Sequence, residues 1–234
     1  MSGRVVWITG GGTGIGCALA ERFHETGWSV AVSSRKGVRL RQWARRRDRT
    51  LIVTCNVRRE SSVQRAYRQV VKKLGAPEIV VNSAGVTAFK GLTETTVGEY
   101  RSIIDTNLTG LFLVARAVVP AMQRRRSGTI VNILSYAAKA VYTKSSIYSA
   151  SKAGADAMMR VLREEVRADG VRILNVFPGA VETPMWPEHL RQKYAGVMMS
   201  APHVAMAIHH VATLPSDIMP EEFVIRPQIG DLRI

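Results

Sequence analysis

The chain has few of the residues that would tie it to a metal, a disulfide framework or a membrane. Of its 234 residues only two are cysteine, Cys17 and Cys55. They fall in no Cys-x-x-Cys or Cys/His pattern, which excludes a disulfide scaffold or zinc site and reads both thiols as buried small residues in a reducing compartment. His189, His203, His209 and His210 have no metal-ligand spacing with carboxylates, so no metal is expected. No run of 18 apolar residues occurs, and the opening MSGRVVWITGGG breaks into glycines too early for a secretory signal. A cytoplasmic location with no membrane partner is therefore expected.

Acidic residues are scarce as well. Lys plus Arg number 33 against 18 Asp plus Glu, a net charge of +15. Such an excess suits nucleic acid, an anionic surface, an acidic protein partner or a phosphorylated cofactor. The densest runs, RLRQWARRRDR (39–49) and Arg124 to Arg126, equally suit solvated helix faces and helix ends. Aromatics make up 6% of the chain. Trp43 excepted, none interleaves with the arginines as a single-strand platform requires, so nucleic acid is a disfavoured partner.

Seven short Val/Ile-rich runs recur: RVVWIT (4–9), SVAVSS (29–34), LIVTC (51–55), EIVVN (78–82), TIVNILS (129–135), VRILNVF (171–177) and EFVIR (222–226). Helical spacing fills the gaps at 15–26, 38–47, 61–74, 97–124, 146–168 and 202–214. This alternation predicts an α/β fold with a doubly wound, mostly parallel seven-stranded sheet covered by helices on both faces, in a single domain spanning 1–234. The longest irregular piece, about 179–201, is a candidate substrate-binding loop.

The first predicted strand runs into TGGGTGIG (9–16) and then a helix. Gly10, Gly12, Gly14 and Gly16, with Thr13 and Ile15 between them, would let the backbone approach a pyrophosphate at the helix N-terminus. A dinucleotide site is expected. An NAD-type site would place a carboxylate about 20 residues further on. Here the second strand ends Ser33-Ser34-Arg35-Lys36, which favours NADP(H) over NAD(H), Arg35 and Lys36 pairing with a 2′-phosphate aided by Ser34.

In IYSASKAGADAM, Tyr148 and Lys152 lie four residues apart, on one face of a helix if the stretch is helical. A nearby cation would favour ionisation of the phenol, bringing it nearer working pH as a proton donor or acceptor.

Taken with the glycine loop, this stretch makes the chain resemble the short-chain dehydrogenase/reductase family over nearly its whole length. TGGGTGIG resembles its cofactor loop, NSAG (82–85) its sheet-stabilising Asn-Asn-Ala-Gly, and NLTG (107–110) the segment bearing an active-site Asn. Ser135 in NILSYAA precedes Tyr148 by 13 residues, and PGAVET (178–183) resembles the family's Pro-Gly turn with a threonine near the nicotinamide. The resemblance implies that Tyr148 exchanges a proton with the substrate oxygen. It implies that Lys152 binds the nicotinamide ribose and lowers the tyrosine's pKa, that Ser135 holds the carbonyl or hydroxyl, and that Asn107 keeps its helix open to a relaying water. Asn56, Val57, Asn82, Ala84, Gly85, Pro178, Gly179, Val181 and Thr183 are implied as further cofactor contacts. Homodimers or homotetramers are implied too.

Four features depart from the family pattern: Ser83 in the second position of NSAG, Asn56 where an aspartate is frequent, Thr13 where many NADP-preferring members carry Arg or Lys, and a C-terminus, IRPQIGDLRI, without the frequent Asp-Gly-Gly. Substrate choice is expected from Met185, Trp186, Met198 and Met199 with Ala137, Val141 and Tyr142, which favours a hydrophobic carbonyl or alcohol compound. The activity expected is oxidoreduction of a carbonyl/secondary alcohol pair. A narrower version is a 3-oxoacyl reductase whose acyl chain arrives on an acidic carrier protein, since Arg124 to Arg126 end the helix that carries Asn107. The rival class is a non-catalytic nucleotide-sensing or nucleic-acid-binding protein that uses the same fold and the basic surface.

Overall fold

The structure, a computed structural model, describes residues 4–35, 44–45 and 47–232. Lys36, Trp43, most of the predicted helix at 38–47 and most of the first basic run lie outside the described residues. Strands β1 (Val5–Thr9), β2 (Ser29–Ser34), β3 (Thr50–Thr54), β4 (Ile79–Asn82), β5 (Gly128–Ile133), β6 (Val171–Pro178) and β9 (Glu222–Ile225) form one sheet in the order β3-β2-β1-β4-β5-β6-β9. Every pairing in it is parallel. The order reverses between β1 and β4, where such sheets open a crevice beyond the carboxyl ends of their strands.

Strands buried on both faces need apolar residues at successive positions, and the period of two sorts them. Val5 and Trp7 point to one layer with Val80, Ile130 and Ile173. Val6 and Ile8 point to the other with Val81, Val131 and Leu174. The first layer is covered by α2 (Glu60–Leu74), α4 (Gly110–Arg124) and α5 (Ser146–Arg167), the second by α1 (Gly14–Glu25) and α7 (Ala201–Ala212).

Two expectations change in detail. The helix read at 97–124 divides into α3 (Val97–Ile104), a π-helical turn (Asp105–Thr109) and α4, with the Gly110 amide donating to the Asp105 carbonyl five residues back. By length and composition this tract would pass for a membrane span, with mean hydropathy 1.4. Packing decides otherwise, since Ile103, Val114, Val118 and Met122 lie in the protein core. The piece at 179–201 is not irregular throughout. It contains β7 (Val181–Glu182) paired in parallel with β8 (Met199–Ser200), and between them α6 (Glu188–Lys193).

Candidate active site

The glycine loop is defined by what cannot be added to it. A Cβ at Gly10 would lie 2.4 Å from the Ala84 backbone nitrogen, and Gly10 has φ +70°, where side chains are strained. The β1–α1 turn and the chain leaving β4 are therefore in backbone contact. At Gly16 an added Cβ would meet the Ser83 hydroxyl at 3.0 Å, so the serine in NSAG suits a space with no room for a longer side chain. Thr13 precedes α1 without a side-chain cap, and no acidic residue occupies the first turn. The leading amides of Gly14, Ile15 and Gly16 thus face outward with the positive end of the helix dipole, as an anion requires. A Cβ on Gly14 would sit 3.1 Å from the Thr183 methyl, so the segment after β6 rests directly on this loop.

The neighbouring expected contacts gather around the loop to differing degrees. Ser33 is unavailable to a ligand because its hydroxyl accepts from Trp7 Nε1 at 2.7 Å in the core. Ser34 is half-buried and Arg35 exposed. Asn56 accepts from the Arg58 amide at 3.1 Å through Oδ1, which leaves Nδ2 as the group it can offer an adenine ring. Val57 is buried, and a Cβ on Gly110 would lie 2.8 Å from it, which binds the third strand's end to the π turn.

Asn107 lies in that π turn, turned inward and 2% exposed. Its Nδ2 donates to the Val86 carbonyl at 2.9 Å and Ser151 Oγ at 3.0 Å, and its Oδ1 accepts from the Val86 amide at 2.9 Å. The side chain therefore clamps the chain just beyond Gly85 to α5. An added Cβ at Gly85 would lie 3.6 Å from Asn107 Oδ1, 3.6 Å from Lys152 Nζ and 3.7 Å from the Met185 methyl. These three groups converge where the glycine supplies no bulk.

Tyr148 and Lys152 occupy successive turns of α5, with the ammonium 5.8 Å from the phenol ring centroid. Lys152 is buried and donates to the Ile133 carbonyl at 2.8 Å. Burial pushes its pKa down to about 8. Burial pushes the Tyr148 phenol up, opposed by a hydrogen bond with Ser135. In this arrangement burial is the largest influence on the phenol, and the Lys152 ammonium, engaged with a backbone carbonyl, lies beside the ring. Ser135 caps a short turn (Tyr136–Ala138) by accepting from the Ala137 amide at 3.1 Å, which holds its hydroxyl at the end of β5.

Of the residues expected to select substrate, Met185 and Trp186 reach the cleft side. Trp186 stacks on Phe89 with centroids 4.9 Å apart and an interplanar angle of 21°. Met198 and Ala137 are buried, Met199 packs on the α1/α7 layer and Val141 projects into solvent at 98% exposure. Tyr142 engages Asp231, which with burial holds its phenol well above the ordinary range. Arg124 to Arg126 close α4 at the edge where β5 begins, whereas Ser135 lies past its far end. Six residues at about 3.3 Å each separate the two. Arg125 and Arg126 also tie down the Pro77, Ser127 and Ala168 carbonyls, so the triplet lends the carrier-protein reading no support.

The sequence reading missed a row of polar side chains under the site. Asn82, Asn132 and Asn175 are in register across β4, β5 and β6, and Asn175 ends on Asp156 of α5. The signal was present in IVVN, TIVN and RILN, each a buried strand interrupted by Asn after three residues. Of the two cysteines expected to be buried, Cys55 is, and burial pushes its thiol up to about 11, whereas Cys17 is only half-buried. Among the described residues no His, Cys, Asp and Glu cluster could hold a metal.

The short chain dehydrogenase family model matches residues 4–194. The chain belongs to the short-chain dehydrogenase family. Similar family members include a sepiapterin reductase of Chlorobaculum tepidum, 32% identical over 240 residues with 98% of each chain covered. An uncharacterized oxidoreductase of Staphylococcus haemolyticus is 31% identical over 230 residues, covering 97% of this chain and 98% of that one. Among solved structures, the closed form of a serine dehydrogenase complexed with NADP+ superposes with a TM-score of 0.92 at 25% identity, covering 98% of both chains. An alcohol dehydrogenase from the archaeon Thermococcus sibiricus, complexed with 5-hydroxy-NADP, gives 0.89 at 26% identity, covering 99% of both. This family member is accordingly an oxidoreductase acting on the CH–OH/C=O couple with a nicotinamide cofactor. Its uncapped α1 terminus and the glycine cradle that a Cβ would fill fit that cofactor.

Proposed function

We propose that the protein is an NADP(H)-dependent reductase of hydrophobic ketones or aldehydes, working through Tyr148, Ser135, Lys152 and Asn107. The observation that carries this reading is the placement of the Tyr148 phenol beside Ser135 and one helical turn from the buried Lys152, whose ammonium lies against Gly85 of NSAG. A phenol, protonated at neutral pH, can give its proton to a carbonyl oxygen as reduction requires.

When bound, the nicotinamide supplies hydride for reduction. The chain's own groups then align and protonate. Ser135 holds the carbonyl oxygen by hydrogen bonding and Tyr148 gives it a proton. Lys152, anchored on the Ile133 carbonyl, retains two further donors, one of which can reach the cofactor ribose, and its charge favours the developing phenolate. Asn107 fixes the Val86 backbone over Lys152. The stacked Phe89 and Trp186 with Met185 give the mouth an apolar wall, which supports a hydrophobic substrate. Arg35 at the end of β2, with no carboxylate beside it in Ser33-Ser34-Arg35, supports the phosphorylated cofactor. Phe112 and Val161, exposed on α4 and α5, support pairing with a second copy of the chain.

Fluorescence titration with NADPH and NADH, on wild type and Arg35→Ala, tests this. Tight NADPH binding that weakens at least tenfold in the variant, with NADH unaffected, is expected. A preference for NADH, or equal affinities that Arg35→Ala leaves alone, would overturn the cofactor assignment. Turnover of aryl or alkyl ketones with NADPH then tests the substrate class.

A further inference from the structure

The polar row beneath the site has a direction. Asn82 Nδ2 donates to Asn132 Oδ1 at 2.9 Å, Asn132 Nδ2 to Asn175 Oδ1 at 2.9 Å, and Asn175 Nδ2 to Asp156 Oδ1 at 2.8 Å. Asn82, Asn132 and Asn175 are 5%, 0% and 0% exposed. A carboxylate can only accept, so Asp156 requires Asn175 to donate, and each amide then fixes the orientation of the next. All three amide dipoles point the same way, carbonyl oxygens away from Asp156, and in a low-dielectric interior such chains polarise one another.

The far end of the chain has no partner. Asn82 Oδ1 is buried and accepts no hydrogen bond. A buried acceptor left without a partner is costly and calls for an explanation. Beside it lies a cavity of about 10 Å³ lined by Thr9, Asn82, Asn107 and Lys152, room for one water. Thr9 is Asn82's register partner on β1, and its hydroxyl donates to the Val81 carbonyl at 3.3 Å, leaving its lone pairs as acceptors. Both Asn107 Nδ2 hydrogens are taken by Val86 and Ser151, so it has none to offer Asn82 Oδ1.

We propose that Asp156, through the Asn175–Asn132–Asn82 ladder, presents Asn82 Oδ1 as a fixed acceptor for one buried water, which in turn accepts from Lys152 Nζ and stabilises the ammonium. The water donates to Asn82 Oδ1 and Thr9 Oγ1 and receives the lysine's hydrogen bond, three partners for one molecule. Asp156 is then a positioning residue that touches neither cofactor nor substrate. Burial works against the Lys152 charge, and the ladder works for it.

The groups facing Lys152 are few. On α5 the titratable neighbours are Tyr148 one turn before and Asp156 one turn after. β4, β5, the π turn and the segment bearing Met185 present Asn82, the Ile133 carbonyl, Asn107 and a thioether, none of which titrates in this range. A change at Asp156 could therefore reach Lys152 through the ladder or directly through its charge, and two variants separate these routes. Asp156→Asn removes the charge and the forced direction, since an amide can donate or accept. Asn175→Leu cuts the ladder and leaves the charge.

The measurement is the Lys152 ¹³Cε titration in lysine-labelled protein without cofactor, assigned with Lys152→Met. It needs no turnover, so it stands apart from the proposed reaction, on which only the catalytic importance of Lys152 depends. Both variants are expected to lower the midpoint by about one pH unit. An unmoved midpoint in Asn175→Leu, whatever Asp156→Asn does, would overturn the ladder. Should Asn175→Leu fail to fold, magnetisation transfer from a long-lived water to the Asn82 side-chain amide in wild type decides. Its presence supports the proposal and its absence ends it.

Discussion

The two sides of the cleft are built from opposite materials. The wall made by the glycine loop and NSAG is backbone, and it works because side chains are missing: a Cβ on Gly10 would strike Ala84 at 2.4 Å. The wall made by Ser135, Tyr148, Lys152 and Asn107 is side chain, and it works because burial and hydrogen bonds shift or fix each group. The first wall should fail by addition and the second by subtraction.

The largest effect expected is by subtraction. Tyr148→Phe keeps the ring and removes the proton donor, so kcat for ketone reduction should fall by about 10³-fold while NADPH affinity stays within about twofold. Parallel losses in both would mean that the ring is structural and that the two walls are not separate. Gly10→Ala is the addition. With backbone in the way and φ at +70°, it should cost roughly 2–4 kcal/mol in urea unfolding and remove measurable cofactor binding. Normal NADPH binding by the Gly10→Ala protein would show that the two turns can part.

Proton linkage sharpens the second wall. Lys152 titrates near 8, against an ordinary value of 10.5. Initial-rate kcat/KM should decline above about pH 8 as the ammonium is lost. Stability should do the reverse. Between about 8 and 10.5 the unfolded chain holds a proton that the folded chain has released, so stability rises with pH in that window, and Lys152→Met should abolish the rise. The smallest effect belongs to the Phe89–Trp186 stack. Trp186→Ala breaks an aromatic stack worth about 1 kcal/mol and should raise KM roughly fivefold with kcat little changed.

The strands were legible because burial on both faces writes continuous Val/Ile runs into sequence, and the backbone wall because glycines at a strand-to-helix turn have few other uses. The side-chain wall was half legible. Tyr148 and Lys152 announced themselves by spacing within one helix, but the Ile133 carbonyl that anchors Lys152 carries no sequence signal. The π turn stayed hidden because a one-residue bulge barely disturbs the 3.6 period between Val97 and Arg124. The ladder depends on register between strands 43 and 50 residues apart, which no local pattern records. Met198 and Met199 looked like substrate contacts because an apolar residue in a loop reads the same whether it faces a ligand or the core.

Thr183 packing against Gly14 sets an order of traffic. The segment proposed to seat the substrate rests on the turn proposed to receive the pyrophosphate, so a nucleotide that enters between them must do so before the carbonyl compound is enclosed. Arrival would then be compulsory, nucleotide first and carbonyl compound second, with the spent nucleotide last to leave. In product-inhibition kinetics NADP+ should compete with NADPH alone, and the alcohol with neither.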